Sequence, residues 1–324
     1  MIAGLDPFFF GEIGDYMVLR YSPVILALIL AAPVLATTTK PPRVVASIAP
    51  LHSLVAGIMQ DVAEPELLIK GGTSPHSHNL RPSQMRALSR ARVIFWVGER
   101  MEWFLRRPLS QPSTGQKIIA VANLPGLLLL PARHGGIWEN HSHSENTAKT
   151  HKDIDNHIWL DPENAKIIAQ EIAITLSKID PDRAAVYQEN TIHLIARLND
   201  LHLEIMDATA ATKKPYLVFH DAYQYFEQRY QLKAIGSVTV SPDRKPGARR
   251  LQEIQQKLRD AEAHCIFSEP QFPASQLNML TEDGKYYSGE LDPIGIDIPP
   301  GPDMYFILMR RLASSFVACL NQRH

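Results

Sequence analysis

The feature that most constrains the fold is a repeated alternation of short apolar runs with helical patterns along residues 43–320. The runs are RVVASIA, ELLI, VIFWVG and QKIIAVA in the first half, and YLVFH, LKAIGSV, HCIFSEP and YYSGEL in the second. Short apolar strands that are separated by helices favour parallel βα units. We therefore predict an α/β fold in which two lobes each contain a parallel sheet.

A long helical segment separates the two sets of runs. No Gly or Pro occurs between Asp182 and Lys214, and apolar residues recur there at three- and four-residue spacing. About thirty residues of helix span ~45 Å, a length that suits a rigid connection between two lobes. The predicted units are an N-terminal lobe over 37–180, a linking helix over 181–212 and a C-terminal lobe over 213–324.

The N-terminus carries the strongest apolar run, PVILALILAAPVLA at residues 23–36. This run is shorter than the roughly 20 residues that cross a membrane, and it has the length of a signal-peptide core. Cleavage after Ala36 is expected, with an uncleaved membrane anchor as the alternative. Residues 1–16 contain three acids where a signal peptide should be basic, which favours a misplaced start codon and a true start at Met17. We expect an exported protein without membrane insertion after cleavage.

Composition excludes several functional classes. Lys+Arg 33 balance Asp+Glu 34, and a formal net charge of −1 provides no attraction to nucleic acid. The chain has no HExxH, GxSxG, GxGxxG or P-loop motif. Histidine is the unusual residue, because five of the 13 histidines fall between His134 and His157.

Four side chains lie where open parallel sheets bind ligands, beyond the carboxyl ends of predicted strands or at the close of a long loop. They are His76, His157, His220 and Asp292. Two come from each predicted lobe, and three imidazoles with one carboxylate suit a borderline cation such as Zn²⁺. His78 and Glu290 each lie two residues from one of these candidates and compete for the same role. A metal site in the interlobe cleft is the prediction.

The polar segment 134–157 has no apolar periodicity and is long for a connection, which is typical of functional or disordered loops. Four of its histidines form a loose cluster: His134, His141, His143 and His151. They either collect metal weakly beside the main site or occur by chance in a solvated loop.

The chain contains two cysteines, Cys265 and Cys319. Export to an oxidising compartment favours a disulfide between them, and two buried free thiols are the alternative. Such a bridge would close a loop of about 55 residues and stabilise the fold by ~4 kcal/mol.

Several blocks in order resemble one family of receptors. They are VVASIAPLHSLVAGIM, SPHSHNLRPSQMRAL, VIFWVGERMEWFL, DNHIWLDPENA, VFHDAYQYFEQRY, IFSEPQF, GELDPIG and the terminal ACL. The chain is similar to the ZnuA-type periplasmic zinc-binding proteins, the cluster 9 (A-I) substrate-binding proteins of zinc ABC transporters. The resemblance covers residues 43–320.

The resemblance implies two α/β lobes that are joined by a long rigid helix. It implies that His76, His157 and His220 are zinc ligands and that Asp292 is a fourth ligand or yields to water. It also implies the disulfide and the metal-collecting role of the His-rich loop. His220 stands where manganese-binding relatives tend to carry Glu, and three imidazoles suit Zn²⁺ better than Mn²⁺.

Two departures from the family pattern affect the site. Pro75 replaces a Glu that some relatives carry beside the first histidine, and the His-rich insert is shorter than in the richest members. The resemblance implies a monomeric, periplasmic, non-enzymatic receptor that binds Zn²⁺ and delivers it to an inner-membrane ABC permease with its ATPase. Its rivals are a receptor for Mn, Cu or Ni, a storage protein without a permease, and a zinc hydrolase with Glu290 or Glu269 as general base.

Overall fold

The structure is a computed structural model that describes most of the predicted mature chain. The described residues are 39–133, 138, 154–239, 247–272, 277, 280 and 284–323. Two predicted features lie outside them: the signal peptide at residues 1–36, and the loop histidines His134, His141, His143 and His151.

The first half of the chain forms a four-stranded parallel sheet with the order β2-β1-β3-β4. Its strands are β1 (Val44–Ala46), β2 (Glu66–Leu67), β3 (Val93–Trp96) and β4 (Lys117–Ala120). Its helices are α1 (Ala49–Ile58), α2 (Pro82–Arg90) and the short α3 (Arg106–Leu109), which follows a 3₁₀ turn at Trp103–Leu105. β3 is buried along its whole length, as expected for a central parallel strand.

The second half forms a second four-stranded parallel sheet, with the order β6-β5-β7-β8. Its strands are β5 (Tyr216–His220), β6 (Ala234–Thr239), β7 (Cys265–Ser268) and β8 (Tyr287–Glu290). Its helices are α6 (Gln224–Tyr230), α7 (Ala248–Asp260) and α8 (Met304–Leu320). The α/β fold with two parallel sheets is confirmed, although every described strand except β5 is shorter than the apolar run that predicted it.

In the sequence, the strands of the first sheet and those of the second are separated by two long helices, α4 (Pro162–Ile179) and α5 (Ala184–Thr209). Asp161 caps α4, since its side chain accepts a hydrogen bond from the backbone N–H of Glu163, and Pro162 occupies the first turn. The 26 residues of α5 span ~39 Å. The predicted long helix is therefore present.

The main hydrophobic core is continuous across both sheets. It includes side chains of β1 and β3 from one sheet and of β5 and β7 from the other, together with α1, α4, α5 and α8. The buried face of α5 contributes Leu194, Leu198, Leu201 and Ile205. Because interiors pack densely and resist deformation, a shared core limits independent movement of the two sheets. Within the described ranges, no helix combines the length and apolar character that a bilayer-crossing segment needs.

A disulfide joins Cys265, the first residue of β7, to Cys319 near the end of α8, and the predicted pairing is confirmed. The two residues are 54 positions apart in sequence, so the bridge removes many conformations from the unfolded chain.

We predict that replacing both cysteines by Ala lowers the free energy of unfolding by ~4 kcal/mol, because the unfolded chain regains its loop entropy. Urea unfolding of the oxidised wild type and of the Cys265→Ala/Cys319→Ala variant measures this difference. A loss below about 1 kcal/mol would show that the bridge does not restrict the unfolded chain in this way.

Glu102 is a fully buried acid in the segment between β3 and the 3₁₀ turn. Its carboxylate accepts a hydrogen bond from the backbone N–H of Gly98 at 2.9 Å. Burial raises the pKa of Glu102 from 4.5 to about 7, and hydrogen bonds to the ionised form oppose this shift only in part. The folded protein thus prefers the protonated acid.

We predict that this group lowers stability as pH rises. The contribution of Glu102 to the free energy of unfolding is fully present below the unfolded pKa of 4.5. It is lost as pH rises through about 7, a change of ~3 kcal/mol. Glu102→Gln stays neutral and keeps an acceptor for Gly98, so urea unfolding at pH 5 and pH 8 should show a smaller pH-dependent loss. The same loss in both proteins would contradict the prediction.

Candidate metal centre

Three of the four predicted ligands come together between the two sheets. His76 lies in the loop between β2 and α2, His157 precedes a 3₁₀ turn at Ile158–Leu160, and His220 ends β5. Each offers one ring nitrogen, and these atoms all lie within 4.8 Å of one another. His157 and His220 are buried, whereas His76 is partly exposed.

Buried carboxylates orient two of the three imidazoles. Nδ1 of His157 donates to Oδ1 of Asp155, and Nδ1 of His220 donates to Oε1 of Glu269, each at 2.7 Å. These bonds fix the rings so that each Nε2 presents its lone pair to the centre of the group. This is the tautomer that a metal ligand requires.

The spacing of the two Nε2 atoms matches a shared cation. Nε2 of His157 lies 3.3 Å from Nε2 of His220. Two nitrogens on one tetrahedral zinc ion, with bonds of about 2.05 Å, are also about 3.3 Å apart. Since both Nδ1 atoms carry the ring protons, two lone pairs face each other at this distance. They repel unless a proton or a metal ion lies between them.

The electrostatic environments of the histidines differ. Desolvation lowers the pKa of His76 well below 6.5, and the neighbouring His157 and His220 lower it further, so this ring stays neutral at pH 7. Burial alone would lower the pKa of His220, but the charge and hydrogen bond of Glu269 outweigh it and raise this pKa. A carboxylate that attracts a proton to His220 attracts a metal cation there equally.

The conformation of the loop 70–81 places His76, and not His78, in the three-histidine group. The indole N–H of Trp103 donates to the carbonyl oxygen of His76 at 3.1 Å, and the N–H of His76 donates to Oγ of Ser74. His78 points elsewhere: its Nε2 is 3.1 Å from the amide oxygen of Gln84, and its ring packs on Phe104. His78 therefore has a structural role in holding this loop.

The structure does not bring Asp292 into the group. Oδ1 accepts hydrogen bonds from the Gln271 side chain and from the backbone N–H groups of Ile294 and Gly295, and Oδ2 accepts one from Ile296. The carboxylate thus organises the turn after β8. Its competitor Glu290 is exposed on β8. The three histidines therefore form the group without the predicted carboxylate.

Sequence reasoning missed the role of Asp155 and assigned Glu269 only to a rival mechanism. Asp155 had a signal, because an acid two residues before a candidate ligand can accept that ligand's ring N–H. Glu269 follows β7, which pairs directly with β5, so the register of neighbouring strands brings it to His220. That register is not visible in the sequence.

The walls of the site are largely apolar. The cavity measures about 10 Å³, roughly the space for one water molecule. Trp159, Phe272 and Ile294 line it beside the three histidines. Such walls limit water access and strengthen the interaction of the imidazoles with a cation.

Comparison with known proteins identifies a family for this chain. The family model of ZnuA, described as "Zinc-uptake complex component A periplasmic", matches residues 44–319. A protein of Brucella suis biovar 1 named "High-affinity zinc uptake system protein ZnuA" is 40% identical over 306 residues, which is 86% of this chain and 92% of the relative. A protein of the same name from Yersinia pestis is 34% identical over 289 residues, covering 86% and 91%. A crystal structure of ZnuA aligns with a TM-score of 0.73 at 23% identity, covering 87% of this chain and 100% of that one.

The two sheets, the long helix and the three-histidine group define a metal-binding substrate-binding protein. The chain belongs to the ZnuA family, and the resemblance inferred from the sequence is confirmed. This family consists of periplasmic receptor components of zinc-uptake transporters rather than enzymes, so the hydrolase alternative is discarded.

We predict that Glu269→Gln weakens Zn²⁺ binding ten- to a hundred-fold, because the ring of His220 loses its charged partner. Titration against a chelating dye measures the affinity. Glu290→Gln is the matched control, since it removes an exposed carboxylate from the adjacent strand β8 and should leave the affinity unchanged. Equal effects in the two variants would contradict an orienting role for Glu269.

Proposed function

We propose that this protein captures Zn²⁺ in the periplasm with His76, His157 and His220 and delivers it to an inner-membrane ABC permease that its ATPase drives. It acts as a monomer, and the predicted signal peptide at residues 1–36 directs its export. The observation that carries the proposal is the 3.3 Å separation of the His157 and His220 Nε2 atoms, whose lone pairs both face the centre of the site.

The donor set favours zinc over the other metals considered. Three imidazole nitrogens suit Zn²⁺, whereas Mn²⁺ prefers oxygen ligands. Asp292, the carboxylate that would have supplied oxygen, is engaged by three backbone N–H groups and the Gln271 side chain. Cu²⁺ and Ni²⁺ bind nitrogen-rich sites tightly, so they are the rivals that a selectivity measurement must include.

The fold suggests how metal enters and leaves. The lobes at 37–180 and 213–324 share a core along the helix at 181–212, so large hinge movements are not expected. His157 and His220 are buried in this rigid part, whereas His76 sits on the loop 70–81 and is partly exposed. Metal exchange therefore proceeds through small shifts of the lobes and ordering of this loop. His134, His141, His143 and His151 are proposed to collect zinc weakly.

We predict one tight zinc site in metal-stripped residues 37–324 that Mn²⁺ does not displace, and one weaker phase from the His-rich loop. His157→Ala should lower the affinity of the tight site by orders of magnitude, because it removes a direct ligand. His151→Ala is the control and should scarcely change it.

A competition titration with Zn²⁺, Mn²⁺, Cu²⁺ and Ni²⁺ tests the proposal. A preference for Mn²⁺, or equal effects of the two histidine substitutions, would overturn the three-histidine zinc site. Genomic neighbours that encode no permease or ATPase would argue against the transport role.

A further inference from the structure

We propose that Arg133 is a positioning residue of the zinc site, and that it sets the separation of His157 and His220 by bridging the two halves of the fold. This inference rests on the proposed zinc site and adds a residue that does not touch the metal. Arg133 lies two residues after an isolated bridge between Pro131 and Ile154, in the N-terminal half. Its partners Asp221 and Glu227 lie after β5 and in α6, in the C-terminal half.

The contacts of Arg133 form a fork. One terminal nitrogen donates to Oδ1 of Asp221 at 3.2 Å, and the other donates to Oε2 of Glu227 at 2.7 Å. The Arg133 side chain is only 22% exposed, and the two carboxylate side chains are 6% and 4% exposed. The guanidinium also stacks on the ring of Trp138, with its carbon 3.7 Å from the ring centroid. We call Arg133, Asp221 and Glu227 the interlobe ion bridge.

The interlobe ion bridge connects to both buried histidines through short paths, one along the chain and one across a backbone bridge. Asp221 directly follows His220 in the chain. On the other side, the bridge of Pro131 to Ile154 places the Arg133 segment beside Asp155, which orients His157. A change in the Arg133 contacts therefore moves one histidine relative to the other.

Tyr225 supports the same alignment. Its hydroxyl donates to the carbonyl oxygen of Asp155 at 2.7 Å and accepts a hydrogen bond from the N–H of Leu130 at 3.1 Å. Tyr225 lies in α6, as does Glu227, so α6 contacts both strands of the isolated bridge. Arg133 thus links the two halves through charged hydrogen bonds, and Tyr225 links them through neutral ones.

The loss of charge and the loss of geometry predict opposite effects on Zn²⁺ affinity when Arg133 is removed. Three buried acids interact electrostatically with His220: Asp155, Asp221 and Glu269. Loss of the guanidinium charge would leave more negative charge near the site and strengthen the attraction to Zn²⁺. Loss of the fork would let the two histidines separate and weaken binding. A substitution that keeps the charge and removes the fork distinguishes these effects.

Arg133→Lys is that substitution, because an ammonium group is a point charge that cannot span two carboxylates or stack in the same way. We expect Zn²⁺ affinity to fall ten- to a hundred-fold, with a correspondingly faster release to a chelator. Arg183→Lys is the matched control. Arg183 is 24% exposed and holds the 7% exposed carboxylate of Asp180 through two hydrogen bonds, at the start of α5 and away from the site.

The measurements are the Zn²⁺ dissociation constant, the release rate and urea unfolding of the metal-free proteins. A weaker affinity in Arg133→Lys with unchanged affinity in Arg183→Lys supports positioning. Wild-type affinity in Arg133→Lys, or equal losses in both variants, would overturn it. His157→Ala is measured in parallel: if that variant keeps wild-type affinity, the zinc site itself is wrong, whereas a loss there with intact Arg133→Lys affinity refutes the positioning role alone.

Discussion

The hydrogen bonds from two buried imidazoles to two buried carboxylates are the interaction on which the site depends. Without Asp155 and Glu269, the rings of His157 and His220 could rotate or exchange tautomers, and their Nε2 lone pairs would not converge. The negative charge of these carboxylates also attracts a cation to the cluster of imidazoles. Burying these acids is costly unless they are hydrogen-bonded, so the surrounding structure must supply donors in fixed positions.

The fold supplies those positions by placing strand ends together. His220 ends β5 and Glu269 follows β7, and these strands are neighbours in the same parallel sheet. His157 and Asp155 come from the segment that leads into α4, which packs in the core shared by both sheets. The ligand geometry is therefore a property of the whole core rather than of one loop, and only His76 is presented by a loop.

Much of the fold could be predicted from the sequence, because its signals are local. The short apolar runs identify the strands, and the absence of Gly and Pro after Asp182 identifies α5. The three histidines were also accessible, since strand ends in parallel sheets meet at one edge. The position of Asp292 outside the group could not be predicted. Its carboxylate accepts hydrogen bonds from three backbone N–H groups, those of Ile294, Gly295 and Ile296, and these bonds depend on the conformation of one turn. The contacts of Arg133 depend on how distant segments pack, which no local pattern encodes.

The unequal burial of the three histidines has a consequence for the coordination chemistry of transfer. Two of the proposed ligands belong to the rigid core. The third, His76, belongs to a loop, and its carbonyl oxygen accepts a hydrogen bond from the indole of Trp103, a residue that is itself 61% exposed. Such a site releases its metal one ligand at a time, and the partly exposed His76 dissociates first. An acceptor protein that offers its own donor atom can occupy the vacated coordination position before His157 and His220 dissociate. Under the proposed function, metal then passes to the acceptor protein by associative exchange, without an intermediate in which the ion is free in solution.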